Sequence, residues 1–161
     1  MIKRFYILIG CLVGISFSTW IPLQAQEVEA VHWLSFEELE DSLATNPKKV
    51  FIDFYTDWCT YCRKMDKVVF TNSEVINILN ETYYAVRFNA ESDSSISFGG
   101  QVFTNEEIGR SRNPIHQITQ LMAVREGKFV APTLVFLDEE FRVKSRYFAY
   151  MDSRKLIKEL K

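Results

Sequence analysis

Two cysteines with two residues between them, in Trp58-Cys59-Thr60-Tyr61-Cys62, constrain this chain most, because of what flanks them. Upstream, Val50-Phe51-Ile52-Asp53-Phe54-Tyr55 is rich in β-branched and aromatic residues and short enough for a strand buried on both faces. Downstream, Met65, Val68, Val69 and Phe70 are spaced for one helical face. The dithiol therefore falls where a strand turns into a helix. There the unpaired backbone N–H groups and the positive end of the helix dipole favour a thiolate at Cys59. Cys62, one turn further in, is expected to be less exposed and less activated. Cys59 is thus the expected attacker and Cys62 the resolver.

The 161 residues are 47% hydrophobic and 25% charged, which suits one domain with a sizeable core behind a disposable N-terminus. Lys3 and Arg4 form a positive start, Phe5 to Ile21 is mostly apolar, and Leu23-Gln24-Ala25 resembles a signal-peptidase site. Residues 1–25 are accordingly read as a secretory signal and 26–161 as the folded domain. An uncleaved anchor is the alternative, and either way the domain is exported. Leu8-Ile9-Gly10-Cys11 also resembles a lipidation motif, but the apolar run before it is short and continues well past it.

Removing the leader leaves Cys59 and Cys62 as the remaining cysteines. An exported domain without other cysteines has no structural disulfide framework, so the pair is free for redox work. The formal net charge moves from −2 to about −4, a mild acidity without long runs that gives no sign of a nucleic-acid partner.

The rest reads as alternating helices and strands. An extended piece at Val31 to Trp33 precedes a helix from a Ser35/Glu38 capping box to about Ala44. Asn72 or Ser73 caps a helix through Leu79, and Tyr83 to Asn89 is a second central strand. Asn113-Pro114 reads as an N-cap and first-turn proline opening a helix through Met122. Thr133 to Leu137, a turn at Asp138-Glu139-Glu140 and Arg142 to Ala149 form a hairpin, and Asp152 caps a last helix ending near Leu160. This order predicts an α/β domain whose mixed central sheet carries helices on both faces.

Two stretches resemble a known family. Phe51 to Met65 is similar to the active-site segment of thioredoxin-like proteins, and Ala131-Pro132-Thr133-Leu134-Val135-Phe136 to their cis-proline loop and following strand. The Asp57-Trp58-Cys59 entry and the Lys67-Val68-Val69-Phe70-Thr71 exit resemble the exported branch, in particular the C-terminal domain of the disulfide reductase DsbD. The resemblance implies a thioredoxin fold. It also implies an exported thiol-disulfide oxidoreductase that reduces disulfides of exported proteins, is recharged by a membrane electron donor in the periplasm, and works as a monomer without cofactor or metal.

Carried over residue by residue, Asp53 matches the acidic residue beneath the dithiol. A buried carboxylate there would have a raised pKa and could relay a proton to or from Cys62. Arg87 falls where the family often keeps a lysine; it either pairs with Asp53 and pulls that pKa down or is a solvated strand residue. Pro132 matches the cis-proline, which with Ala131 would leave backbone groups available to an extended substrate. Trp58 is read as an apolar wall beside Cys59 that contacts substrate, or else as core packing. Tyr61 departs from the proline that thioredoxin carries between its cysteines, which leaves the direction of electron flow open.

The segment 91–113 departs from the family. Ile96 to Phe103 reads as a hairpin with Gly99-Gly100 at its turn, either a flap bearing on partner choice or a mobile surface insertion. The histidines, His32 and His116, are each expected to be surface or partly buried residues, and no hydrolase signature joins His116 to Cys59. Two cysteines make an incomplete zinc site. The competing readings are an oxidase or isomerase, and a non-enzymatic binding module such as a copper carrier or holdase.

Overall fold

The computed structural model describes residues 30–161. The leader, with its cleavage and lipidation motifs, lies outside the described residues. A short strand β1 (Trp33–Leu34) leads into helix α1 (Phe36–Thr45). Ser35 caps that helix as the sequence predicts. Its hydroxyl accepts the Glu38 N–H at 3.1 Å, and the Glu38 carboxylate accepts the Ser35 N–H at 2.7 Å. Strand β2 (Lys49–Tyr55) is followed by helices α2 (Thr60–Val68) and α3 (Ser73–Thr82), then strand β3 (Tyr83–Asn89). Asn72 caps α3 by accepting the Glu74 and Val75 N–H groups, and the helix runs a turn past the expected end at Leu79.

Strands β4 (Ile96–Phe98) and β5 (Gln101–Phe103) form the hairpin expected within 91–113, with φ of 61° at Gly99 and 72° at Gly100. Both angles lie in the left-handed region that a tight two-residue turn requires. Helix α4 (Gln117–Met122) begins three residues later than Pro114, and its cap is His116. The backbone before it is already engaged by the loop at 104–107. Asn105 donates to the Pro114 carbonyl, the Ile115 N–H donates to Glu107, and the Gln117 N–H donates to the Thr104 carbonyl.

A second small hairpin, β6 (Val124–Arg125) with β7 (Lys128–Phe129), turns through Glu126 and Gly127, both at positive φ. Strand β8 (Thr133–Leu137) and strand β9 (Val143–Tyr147) follow, then helix α5 (Ser153–Leu160) capped by Asp152. Strand β9 is shorter than the predicted Arg142 to Ala149, and its pairing shifts register at Phe136/Leu137.

The central sheet has the order β1-β3-β2-β8-β9. Strands β1, β3 and β2 are parallel, while β8 and β9 each run antiparallel to their neighbour, so the sheet is mixed. Alternation along β2 sorts the core. Phe51 packs with Met65, Val69, Leu79 and Leu156 under α2, α3 and α5. Val50, Ile52 and Phe54 pack with Phe36, Leu39, Phe88 and Ile118 under α1 and α4. Of the predicted α2 face, Met65, Val69 and Phe70 are buried but Val68 is exposed. The chain widens its last turn there: both Val69 and Phe70 donate N–H to the Met65 carbonyl, which swings Phe70 inward and leaves Val68 in solvent.

Candidate redox site

Register builds the site. Asp53 shares a face of β2 with Phe51, one step from the sheet's C-terminal edge, and pairs across the sheet with Arg87 on β3 and Leu134 on β8. Beyond that edge the chain turns through Thr56, Asp57 and Trp58 into α2. The turn is pinned at several points. The Cys59 N–H donates to the Thr56 carbonyl, Arg63 donates to the Asp57 carbonyl at 2.7 Å, and Asn89 donates to the Asp57 carboxylate at 3.0 Å.

Cys59 is the N-cap of α2. Its Sγ accepts the Cys62 N–H at 3.0 Å and is joined to Cys62 Sγ in a disulfide. A sulfur at this position faces the unpaired N–H groups and positive dipole end of the helix, which favours negative charge on Cys59 when the disulfide opens. Cys59 and Cys62 are 4% and 2% exposed, so access differs little between them and the distinction rests on the cap position.

Asp53 is 1% exposed. Burial pushes its carboxyl up to about 7, against the pull of the Arg87 guanidinium and with the Asp66 charge adding to the rise. Desolvation prevails because Arg87 is only partly committed to Asp53. Its Nε lies 3.3 Å from Asp53 Oδ2 without an aligned hydrogen bond, while Nη2 is 2.7–2.8 Å from the Asp66 carboxylate. The guanidinium also stacks 4.3 Å above the Tyr55 ring. Of the two readings for Arg87, the paired one holds, and it joins two carboxylates. Among the described residues, Asp53 Oδ1 and the buried Thr56 hydroxyl find no hydrogen-bond partner.

The peptide bond between Ala131 and Pro132 is cis. Thr133 pairs with Phe54, so the Ala131–Pro132 loop reaches the same sheet edge as the turn into α2. Trp58 is 60% exposed and is no part of the core; its indole Nε1 donates to the Glu91 carboxylate at 3.0–3.1 Å. A groove of about 430 Å³ separates Trp58 from Val130 and Ala131. The predicted residues Cys59, Cys62, Asp53, Trp58, Ala131 and Pro132 thus gather at one edge.

His116 is fully buried, where a surface or partly buried position is expected. Its Nδ1 accepts the Ile118 N–H and its Nε2 donates to the Ser94 carbonyl, an arrangement of neutral imidazole against the Phe88 ring. Its ring belongs to the α1/α4 face of the sheet, whereas Asp53 and α2 lie on the other. Sequence reasoning missed Asp66, Glu91 and the β6–β7 hairpin. Only the hairpin left a signal, the glycine at 127 between two short apolar-polar pairs. Among the described residues no cluster of three or more histidine, cysteine or acidic side chains could hold a metal ion. No helix of the described residues is long and apolar enough to cross a membrane.

The fold and the capped dithiol define the thioredoxin class. The sequence model of the thioredoxin-like domain family matches residues 36–161, and the chain belongs to that family. Among curated proteins, the chain is 39% identical over 49 residues to the thiol:disulfide interchange protein DsbD of Photorhabdus laumondii. It is 42% identical over 48 residues to that of Actinobacillus pleuropneumoniae. These stretches amount to 30% and 29% of this chain and only 8% of either DsbD, so the likeness is to a small part of those proteins. A solved DsbH oxidoreductase superposes with a TM-score of 0.55 at 20% identity, covering 92% of each chain. The reduced C-terminal domain of Neisseria meningitidis DsbD gives 0.50 at 17% identity, covering 76% of this chain and 87% of that one. At such identities the structural likeness speaks for the fold.

Proposed function

We propose that this protein is an exported, periplasmic reductase of protein disulfides, working as a monomer through Cys59 and Cys62. The observation that carries this reading is the dithiol at the N-terminus of α2 with the buried Asp53 carboxyl behind it. The leader-like N-terminus, the two remaining cysteines and the DsbD relatives support the compartment and the direction.

In the reducing half-cycle the Cys59 thiolate attacks one sulfur of a substrate disulfide. A Cys59–substrate disulfide forms and the other substrate sulfur leaves as a thiolate that takes a proton. Asp53, near 7, then accepts the Cys62 proton. The Cys62 thiolate attacks Cys59 Sγ, the mixed disulfide breaks, and the second substrate thiolate departs. Two electrons pass to the substrate, and the protein is left with the Cys59–Cys62 disulfide. A membrane-bound dithiol donor restores the reduced pair. Trp58 and the Ala131–Pro132 loop flank the substrate segment during the exchange.

Replacing Cys62 by serine tests the proposal in the exporting host. The variant accumulates mixed disulfides through Cys59 that dithiothreitol releases. A reduction potential of the pair near roughly −270 mV, the thioredoxin range, places it with the reductants, whereas roughly −120 mV makes it an oxidant. A protein that traps no partner and binds copper(I) through the pair belongs with the carriers.

A further inference from the structure

Segment 91–113, the departure from the family, meets the redox site at its two ends and not through its hairpin. Strands β4 and β5 sit on the α1 face of the sheet, where the Ser97 N–H donates to Glu37, the Gly99 N–H donates to Glu40 and Phe98 stacks on Phe36. The start of the connection, by contrast, holds both residues that precede Cys59. Asn89 donates to the Asp57 carboxylate and accepts the Glu91 N–H, each at 3.0 Å, and Glu91 accepts the Trp58 indole N–H with both oxygens. At the other end, Asn113 and Ile115 line the groove beside Trp58, which Phe129 of β7 also walls. One side chain ties the two ends together. Asn105 is 8% exposed, and its amide nitrogen donates to the Ser92 carbonyl and to the Pro114 carbonyl, each at 3.1 Å. Its Oδ1 accepts the Glu107 N–H at 3.2 Å, so both donors and the oxygen of the amide are used. Glu91 is thereby clamped from both neighbours: the Ala90 N–H donates to the Tyr55 carbonyl, the Ala90 carbonyl accepts the His116 N–H, and Ser92 is held by Asn105.

We infer that Asn105 is a positioning residue for the turn before the dithiol: by drawing Ser92 to Pro114 it fixes Glu91, and through Glu91 it holds the Trp58 indole beside Cys59. The inference rests on the oxidoreductase reading, because it gives the connection a part in that site. A loop of this length has many conformations, and bringing its ends together costs conformational entropy. Without the tie, Glu91 follows the fluctuations of the loop, and a hydrogen bond at the surface contributes too little to order two side chains by itself. Asn105 does the ordering where it is withdrawn from water and its bonds are stronger, so Glu91 is already in place to receive the indole. Trp58 depends on this most. The Asp57 step of the turn has its own pins in Arg63 and Asn89, whereas Trp58 is 60% exposed and its indole N–H bonds to Glu91 alone among the described residues. The segment is a brace behind the turn, not a flap over it.

Isotope-labelled protein purified from the exporting host tests this by hydrogen exchange at the Trp58 indole, with Trp58→Phe assigning the signal. Asn105→Ala speeds that exchange about tenfold, the weight of one hydrogen bond, while the Phe51 and Val135 amides inside the sheet keep their protection. Asn105→Asp keeps the acceptor for the Glu107 N–H but lacks the donors for Ser92 and Pro114, and it matches Asn105→Ala. The same proteins, reduced, are then timed on insulin and on hydroxyethyl disulfide. The ratio of the two rate constants cancels any change common to both substrates. It falls severalfold in Asn105→Ala and in Glu91→Ala, and the double variant falls no further than Glu91→Ala alone, since the one residue acts through the other. Losses that add in the double variant overturn the inference, as does wild-type indole exchange in Asn105→Ala or in Glu91→Ala. Lost protection of the Phe51 amide in both Asn105 variants overturns it too, because Asn105 then holds the fold and not the turn. The small disulfide separates these failures from the larger one. If the wild type reduces hydroxyethyl disulfide and insulin but the Asn105 variants leave exchange and ratio in place, the brace alone is wrong; if it reduces neither, the oxidoreductase reading fails as well.

Discussion

Asp53 holds its proton inside the molecule at a pH where a free aspartate has lost it. The folded value of about 7 lies above the usual 3.8, so between those limits the native state binds a proton that the unfolded chain does not. Stability therefore falls as pH rises through that window, by at most about 4 kcal/mol. Asp53→Asn removes this decline, read as urea midpoints that differ less between about pH 5 and about pH 8 than in the wild type. It also slows release of substrate from the mixed disulfide, because Cys62 loses its proton acceptor. Arg87 acts with the opposite sign. Arg87→Met raises the Asp53 pKa further, which isotope-labelled carboxyl chemical shifts measure directly; a downward shift would contradict the geometry. Asp53 was legible in the sequence because a carboxylate amid Phe51, Ile52 and Phe54 has no solvent to face. Its relation to Asp66 was not, since that depends on how α2 lies across β3.

The segment between β3 and α4 is a structural element in its own right, anchored to the sheet by the buried His116 imidazole and by Ile96, Phe98 and Phe103. His116 is pulled below its usual 6.5, chiefly by burial, so acidification protonates it in the unfolded chain before the folded one. Its contribution is present above 6.5 and is lost as pH falls through the depressed folded value. Protonated Nδ1 can no longer accept the Ile118 N–H, so the exchange protection factor of that amide drops in acid while that of Phe51 in β2 persists. Phe98 closes the same layer against Phe36 and Phe141. Phe98→Ala costs about 2 kcal/mol, below the range for a fully enclosed ring because Phe98 is only partly buried. Strands and caps in this protein follow local chemistry closely: Ser35, Asn72 and Asp152 each cap the helix that the sequence assigns to them. Asn113-Pro114 failed as a helix start because side chains more than seven residues away in sequence, on Asn105 and Glu107, had already taken the backbone.

Across the whole molecule, the sheet carries apolar layers on both faces and concentrates its chemistry at one edge. The β2 strand contributes to both layers, with Val50, Ile52 and Phe54 on one side and Phe51 on the other. Neither layer can therefore be lost alone, and Phe98→Ala shifts a single cooperative unfolding transition instead of exposing a second one. Calorimetric and van't Hoff enthalpies that agree in both proteins check this. The overall fold was legible because β-branched runs, caps and the cysteine pair agreed with one another. The groove was not, because Ile115 and Phe129 meet Trp58 only through the folded path of long connections. The Gly99–Gly100 turn offers something of a different kind. Among the described residues, no atom beyond their chain neighbours comes within 4 Å of a side-chain carbon placed at either glycine, and the turn lines no part of the groove. Opened between these glycines, the chain can accept a fluorophore-binding peptide or a surface tether. Single molecules could then be immobilised and watched through their redox cycle with the reactive edge facing the solution.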